Sequence, residues 1–279
     1  MGTESIVIMK THHYPLISII TCTLNSEKHL EKALESIQMQ TYKNIEHVIN
    51  DSYSTDKTLE ILNAYIERNK HDYRIKLIQS QPKGVANALN VATKEATGDL
   101  VHYLHSDDYY YEKESLEKAA SYFQKNPNLI WLTGNFLVEI KGIRIAIPNT
   151  YLLRISPEKV LTCMNFISHE NTFMRRNAVQ LFGGFNEDKN LVVEYSLWLR
   201  IIKYFNPLIV NDEFTVFTIH KGSTSTGSVI KFSKAVLRAF NTQRKEEIFP
   251  LVGYYKDKKF YHRYEKVINN LSFDKKSGG

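Results

Sequence analysis

The sequence contains few cysteines and no long apolar run, and these two absences exclude several classes of protein. Cys22 and Cys163 are its only cysteines, too few for a small secreted domain built on disulfides. We expect buried free thiols, with a disulfide as the alternative. No stretch approaches the ~20 apolar residues of a membrane-spanning helix. Residues 1–14 lack the apolar segment of a secretory signal, so we expect a cytoplasmic protein.

An excess of positive over negative charge is also absent, except at the C-terminal end. The net charge is +6, yet residues 231–279 alone carry twelve Lys or Arg and five Asp or Glu, and the preceding residues sum to −1. Residues 1–230 therefore offer no basic groove, and we predict no nucleic-acid partner. Basic residues interleaved with aromatics suit an anionic membrane surface, such as the inner face of the plasma membrane. A solvated helical extension docked on the main domain is the alternative.

Apolar periodicity predicts an α/β fold. Hydrophobic residues make up 43% of the chain, enough for one large domain with an appendage. Short apolar runs alternate with amphipathic helices up to residue 125, which favours a mostly parallel sheet flanked by helices. The predicted strands there are 16–20, 45–49, 74–79 and 99–104, and the apolar helix stripes are 30–37, 59–66, 85–96 and 116–123. Further on, we predict strands 130–138, 143–147 and 214–219, helix 194–205, a mobile loop 221–228 and helices over 229–271.

Polar residues gather where the predicted strands end. In parallel sheets, ligands bind beyond the carboxyl ends of the strands. The residues at those ends are Thr21, Thr23, Asp51, Lys83, Asp107 and Asp108. The adjacent acids Asp107 and Asp108 repel each other, so the pair needs a cation or strong hydrogen bonds. Their oxygens suit Mg²⁺ or Mn²⁺. The alternative is that one of them caps the following helix.

Several segments of the chain form an ordered series of recognisable motifs. The pattern S-I-x-x-Q-T-Y-x-N-x-E appears at residues 36–46, and N-D-S-Y-S-T-D-K-T at 50–58 is similar to the loop D-G-G-S-T-D-G-T. The segments PLISIITCTLN at 15–25, GVANALN at 84–90, ATGD at 96–99 and LHSDD at 104–108 complete the series. This series resembles glycosyltransferase family 2 over residues 15–228, and the resemblance implies the GT-A fold and a sugar transferase.

The resemblance also implies roles for residues of the donor half. It gives a nucleotide site of Thr21, Thr23, Asp51, Lys83 and Asp107, with Asp108 as the ligand of Mn²⁺ or Mg²⁺. Asp51 would read the base and Asp107 the ribose side, while Lys83 would face the base or the phosphates. The metal would neutralise charge on the departing nucleoside diphosphate. Gly84 is expected at a tight backbone turn.

The acceptor half resembles the family as well. HENTFMRR at 169–176 and FGGFNE at 182–187 are similar to H-Q-x-x-F-x-R-R and G-G-F-D-E, and EYSLWLR at 194–200 to D-Y-D-L-W-L-R. By this resemblance Glu194 is the general base, in place of aspartate; a helix cap is the alternative. His169 and Trp198 are expected to face the acceptor, with a core position as the alternative for each. His220 is either a third metal ligand or a loop residue.

The resemblance predicts an inverting transferase that moves a sugar from a UDP- or dTDP-type donor to a glycan or polyprenyl-linked acceptor in surface polysaccharide synthesis. Ser52 and Tyr53 replace the family's two glycines, which leaves the nucleotide open. An idle nucleotide-sugar-binding or assembly subunit is the main alternative, and a nucleotidyltransferase is a third. The expected domains are 1–228, with a nucleotide-sugar half at 15–110 and an acceptor half at 111–228, and a basic helical extension at 229–279.

Overall fold

The fold is known from a computed structural model that describes residues 14–147, 167–187 and 193–220, together with Pro157 and Leu161. The predicted loop at 221–228, the extension at 229–279 and Cys163 lie outside the described residues. Cys22 is a free thiol, and burial raises its pKa to about 12. Among the helices of the described residues, none has the length and apolarity to cross a membrane.

Eleven strands and six helices make up the described part of the chain. The strands are β1 Ile17–Thr23, β2 Ile45–Asp51, β3 Arg74–Gln79, β4 Leu100–Tyr103, β5 Tyr109–Tyr110, β6 Trp131–Thr133, β7 Phe136–Ile140, β8 Ile143–Ile147, β9 Thr172–Arg175, β10 Leu208–Ile209 and β11 Thr215–Ile219. The helices are α1 Leu30–Gln38, α2 Thr58–Asn69, α3 Val85–Glu95, α4 Ser115–Lys125, α5 Arg176–Leu181 and α6 Tyr195–Ile202. A 3-10 turn, His169–Asn171, precedes β9.

The strands form two sheets. The larger has the order β10-β6-β9-β4-β1-β2-β3, and the smaller has the order β5-β11-β7-β8. In the larger sheet β1 pairs in parallel with β2 and β4, and β2 with β3. Strand β9 is antiparallel to both of its neighbours. The predicted α/β fold with a mostly parallel sheet is therefore confirmed.

Alternation along the buried strands builds an apolar core on each face of the larger sheet. In β1, Ile17 and Ile19 pack with α1, α2 and α4 on one face. Ile20 packs with α3 and α6 on the other face. Successive side chains of a strand point to opposite faces, so the isoleucines of this segment, with the buried Ser18 between the first two, serve both cores. This is the reason that the central strands lack polar alternation.

The single strand predicted at 130–138 is wrong, because the chain changes sheets at Gly134. Strand β6 lies in the larger sheet and β7 in the smaller one. A Cβ placed on Gly134 would lie 2.3 Å from the backbone oxygen of Asp212, so only glycine permits this approach. The sequence patterns also missed β5, β9, β10 and α5, which are short and lack clear periodicity.

Glu46 ties together the first four strands. Its carboxylate is buried and accepts hydrogen bonds from the Ser18 hydroxyl at 2.6 Å and the Gly98 N–H at 3.1 Å. The N–H and hydroxyl of Thr97 also donate to it, and Arg74 Nη1 lies 3.6 Å away. Burial alone would raise the pKa of Glu46, but the hydrogen bonds from Ser18, Thr97 and Gly98 outweigh it and lower that pKa.

We expect Glu46→Gln to lower the free energy of unfolding by about 2–3 kcal/mol, because an amide NH₂ would face buried N–H and O–H donors. Urea denaturation would measure the loss. The matched control is Glu67→Gln, since Glu67 is exposed and its carboxylate pairs with Lys70 at the surface, so its effect should fall within the error of the measurement. Equal effects of the two substitutions would contradict the role given to Glu46.

Candidate active site

Asp51 closes β2 and organises the loop that follows it. It lies beside Thr23 of β1 and Gln79 of β3, and its side chain is fully buried. The Thr23 hydroxyl donates to Oδ1 at 2.9 Å, the Ser54 N–H donates to Oδ2 at 2.9 Å, and Gln79 Nε2 lies 3.4 Å from Oδ2. The structure therefore brings Thr23 and Asp51 together, as predicted.

Tyr53 lies in this loop with its ring half-exposed. Its φ is +56° and 48% of the residue is accessible. Left-handed backbone costs an ordinary residue about 1–2 kcal/mol, which explains why glycine suits this position in the family's loop. Here a tyrosine takes the same conformation and places an aromatic ring at the surface near Asp51.

Thr21 serves the core instead of the predicted nucleotide pocket. Its hydroxyl lies 3.0 Å from His47 Nε2, and both residues are fully buried. His47 Nδ1 is 2.9 Å from the hydroxyl of Tyr65, which is 2.8 Å from that of Tyr73. Burial lowers the pKa of His47 to about 3, so this polar chain is neutral. The prediction for Thr21 is corrected accordingly.

Asp107 and His220 lie side by side at the end of the larger sheet. The distance from His220 Nε2 to Asp107 Oδ2 is 3.1 Å, and the His29 ring stacks on the His220 ring at 3.9 Å. Residues 107 and 220 are far apart in the sequence, and β11 carries His220 back to the acidic pair. His220 is therefore a neighbour of the acidic pair and not a loop residue remote from it.

Asp108 is a buried carboxylate with incomplete hydrogen bonding. Its Oδ1 accepts the N–H of Thr218 at 2.8 Å, but Oδ2 has no hydrogen-bond partner among the described residues. Burial and the charges of Glu170 and Asp107 raise its pKa well above the usual range. Buried polar atoms rarely remain unpaired, and a hard oxygen of this kind is a good ligand for Mg²⁺ or Mn²⁺. The residues present therefore fit a divalent cation at Asp108.

Glu194 directly precedes α6, and its carboxylate lies beside His169. The Glu194 side chain makes no capping hydrogen bond to that helix. Its Oε2 lies 3.6 Å from His169 Nδ1, and 14% of the side chain is exposed. The geometry therefore does not support the alternative that Glu194 merely caps α6. A partly exposed carboxylate beside a histidine is suited to accept a proton.

His169 lies between Glu194 and Glu170, and His105 completes the group. His169 Nε2 is 3.3 Å from Glu170 Oε1 and in short contact with His105 Nε2. Burial would lower the pKa of His169, but the charges of Glu170 and Glu194 outweigh it and raise that pKa to about 9. Burial and the charge of His169 lower the pKa of His105. The group therefore holds one cationic and one neutral imidazole at neutral pH.

The sequence analysis missed His105 and Glu170. His105 lies two residues before Asp107, in a segment where the two acids alone indicated a metal site. Glu170 occupies the position where the family segment has glutamine, and that difference was the available signal. Burial of two histidines and a glutamate together could not be read from the sequence, because they come from distant segments of the chain.

Trp198 belongs to the core and not to an acceptor platform. It is fully buried, stacks on Trp131 with ring centroids 5.3 Å apart, and donates its indole N–H to the Ile167 oxygen at 3.2 Å.

Lys83 remains exposed, directly before Gly84. The φ of Gly84 is +108°, which confirms the backbone turn expected there.

The raised pKa of His169 predicts a pH-dependent stability. Between pH 6.5 and about 9 the unfolded chain loses the His169 proton while the folded chain retains it. The free energy of unfolding should therefore fall as pH rises through this window, by up to about 1.4 kcal/mol per unit. Urea denaturation of metal-free protein in EDTA would measure the slope. His169→Gln should flatten it and His71→Gln, at an exposed histidine, should not; equal slopes would contradict the assignment.

Comparison with known proteins finds a matching family model and several relatives. The model of the family described as glycosyl transferase family 2 matches residues 18–181. An uncharacterized glycosyltransferase of Haemophilus influenzae is 36% identical over 138 residues, which cover 49% of this chain and 53% of that protein. Chondroitin synthase of Pasteurella multocida is 31% identical over 207 residues, 72% of this chain and 21% of that protein. The chain thus spans about half the length of the first relative and a fifth of the second.

Solved structures show the same fold. Staphylococcus aureus TarS 1–349 in complex with UDP-GlcNAc has a TM-score of 0.63 at 21% identity, over 94% of this chain and 76% of that one. The mannosyltransferase PcManGT from Pyrobaculum calidifontis, in complex with GDP-Man and Mn²⁺, has a TM-score of 0.65 at 19% identity, over 84% and 65% of the two chains. The fold is GT-A, and because the family model matches more than half of its residues, the chain belongs to glycosyltransferase family 2.

Proposed function

We propose that the chain is an inverting, metal-dependent glycosyltransferase that moves a sugar from a nucleoside-diphosphate sugar to a glycan or polyprenyl-linked acceptor. The observation that carries the proposal is the buried, unpaired oxygen of Asp108 at the end of the central sheet. Asp108 lies close enough to Glu170 for its pKa to respond to that charge, and Glu170 reaches Glu194 through His169. A cation ligand and a candidate base thus belong to one site.

The donor half is proposed to bind the nucleotide with residues around Asp51. The Asp51 carboxylate can accept a hydrogen bond from the nucleotide base in place of the long 3.4 Å contact with Gln79 Nε2. Thr23 and Ser54 hold the carboxylate in position. The exposed ring of Tyr53 is suited to stack on the base, and stacking of this kind contributes about 1–3 kcal/mol. The TarS neighbour binds UDP-GlcNAc, which supports a UDP- or dTDP-type donor.

Asp107, Asp108 and His220 are proposed to serve the diphosphate end of the donor. Asp108 would be the direct ligand of Mn²⁺ or Mg²⁺, and His220 a further ligand next to Asp107. The PcManGT neighbour contains Mn²⁺, which supports a divalent ion. When bound, such an ion neutralises charge that builds on the leaving diphosphate. Asp107 would face the ribose, and the exposed Lys83 can approach the phosphates.

Glu194 is proposed to be the general base. Its carboxylate takes the proton of the acceptor hydroxyl as that oxygen bonds to the anomeric carbon and the nucleoside diphosphate departs from the opposite face. This single displacement inverts the anomeric configuration. His169 orients Glu194 through Nδ1, at 3.6 Å, and keeps the carboxylate aimed at the acceptor. A base held in this way typically contributes 10²–10⁴-fold to the rate.

The proposals for the acceptor and for the location in the cell rest on the relatives and on charge. Chondroitin synthase is a polysaccharide synthase, which supports a role in surface polysaccharide synthesis. We propose that the basic, aromatic residues 231–279 hold the enzyme at the cytoplasmic side of an anionic membrane that carries its acceptor. The full chain should bind anionic vesicles, and removal of residues 231–279 should weaken this binding.

The first test is hydrolysis of a panel of nucleotide sugars in Mn²⁺. The intact protein should release a nucleoside diphosphate from one donor class, and Asp108→Asn should lower this rate at least 100-fold, because the leaving group loses its cation. Asp72→Asn, at an exposed aspartate, is the matched control and should retain full activity. Donor binding by thermal shift without release, even with acceptor extracts, would favour an idle binding subunit. Absence of both binding and release would overturn the proposal.

The second test separates the base from the donor site. Glu194→Gln should lower transfer to acceptor by about 10²–10⁴-fold and leave nucleotide affinity, measured by calorimetry, within twofold. Glu194→Asp keeps a carboxylate but moves it by about 1 Å, so it should retain part of the activity. A Glu194→Gln enzyme with the parent transfer rate would show that another group takes the proton.

A further inference from the structure

His105, His169 and Glu170 form a compact group of metal-ligating atoms beside the proposed donor-metal site. His105 follows β4, whereas His169 and Glu170 come from the 3-10 turn before β9. One ligand atom from each residue lies within 4.8 Å of the other two. Their side chains are 21%, 11% and 6% exposed, so the group is sheltered yet reachable from solvent.

The distances suit one cation bound by all three atoms. Glu170 Oε1 lies 3.3 Å from His169 Nε2 and 3.9 Å from His105 Nε2, and the two Nε2 atoms are in short contact. Tetrahedral ligands about 2.0 Å from a zinc ion lie about 3.3 Å from one another, so a separation of the two imidazole rings by somewhat under ~1 Å would let one ion bind all three atoms. Two imidazoles and one carboxylate leave a fourth position for water, as in open zinc sites.

The surroundings hold the three ligands in this arrangement. His169 directs its Nδ1 to Glu194 Oε2 at 3.6 Å, which leaves Nε2 facing His105 and Glu170. The second oxygen of Glu170 accepts the Ser168 hydroxyl, and the backbone oxygen of Glu170 is 2.7 Å from His102 Nε2. A carboxylate behind a ligating histidine is the usual outer support of such sites, and it fixes the ring that binds the metal.

The ligand types separate this group from Asp108. The carboxylate oxygen of Asp108 favours hard cations such as Mg²⁺ and Mn²⁺, whereas imidazole nitrogens favour Zn²⁺ and similar transition metals. We propose that His105, His169 and Glu170 form a second cation site, distinct from the one at Asp108, that binds Zn²⁺ or a chemically similar transition metal. The ion would lie one imidazole ring away from Glu194, where it can govern the orientation and charge of that carboxylate.

The test is Zn²⁺ binding to the full chain, measured by competition with a chromophoric chelator. The parent protein should bind Zn²⁺, and Glu170→Gln and His105→Gln should each weaken this binding about 100-fold or more, since even outer-shell changes cost 10–100-fold. Glutamine at 170 is the residue in the family segment quoted above, so the backbone accommodates it. Circular dichroism and the thermal midpoint would show that each variant folds.

Two further variants distinguish this group from its neighbours. Asp108→Asn removes a nearby buried charge, and His220→Gln disrupts the contact of His220 with Asp107; each should keep Zn²⁺ affinity within about threefold. Tetrahedral Co²⁺ absorption should appear in the parent protein and disappear in Glu170→Gln. The proposal is overturned if the parent protein does not bind Zn²⁺, if Glu170→Gln and His105→Gln bind as the parent does, or if His220→Gln abolishes binding. None of these results depends on transferase activity.

Discussion

The repulsion between two buried carboxylates, Asp108 and Glu170, is the constraint around which the site is arranged. Asp108 is carried by the turn after β4 and Glu170 by the turn before β9, and β4 and β9 are hydrogen-bonded neighbours. The sheet therefore forces the two acids toward one another. On the Glu170 side His169 compensates the charge at 3.3 Å, and the pKa of Glu170 is lowered although burial would raise it. On the Asp108 side, the hydrogen bond from the Thr218 N–H does not compensate the burial and the neighbouring charges, and the pKa of Asp108 is raised.

Comparison of three buried acids shows how Asp108 differs from the other two. Glu46 has donors for both oxygens and holds strands together. Asp51 is similarly satisfied, apart from one long contact. Asp108 retains an oxygen with no hydrogen-bond partner among the described residues. Burial of such an oxygen lowers the stability of the fold. Hydrogen-bond satisfaction, more than burial or residue type, thus distinguishes Glu46 and Asp51 from Asp108, the acid proposed to bind a cation.

The sequence predicted the parallel strands and the acidic edge, because both depend on local patterns. Runs such as ISII at 17–20 are buried on both faces, and strand ends in a parallel sheet meet at one edge. What it could not predict depended on contacts between distant segments. Thr21 and Trp198 occupy family positions that suggest a pocket, yet their neighbours His47 and Trp131 keep them inside the core. His220 reaches Asp107 only because β11 returns beside β5, a pairing with no local signal.

The same charges couple the donor side of the site to the base side. A cation at Asp108 would offset part of the negative charge of the two carboxylates, Asp108 and Glu170. The proton of His169 would then be attracted less strongly. Because His169 is also paired with Glu194, any change in its charge alters the environment of the proposed base. Binding of the donor with its metal should therefore adjust the affinity of Glu194 for a proton before the acceptor arrives. The linkage follows from Coulomb interactions over a few ångströms in a poorly solvated pocket and requires no movement of the backbone.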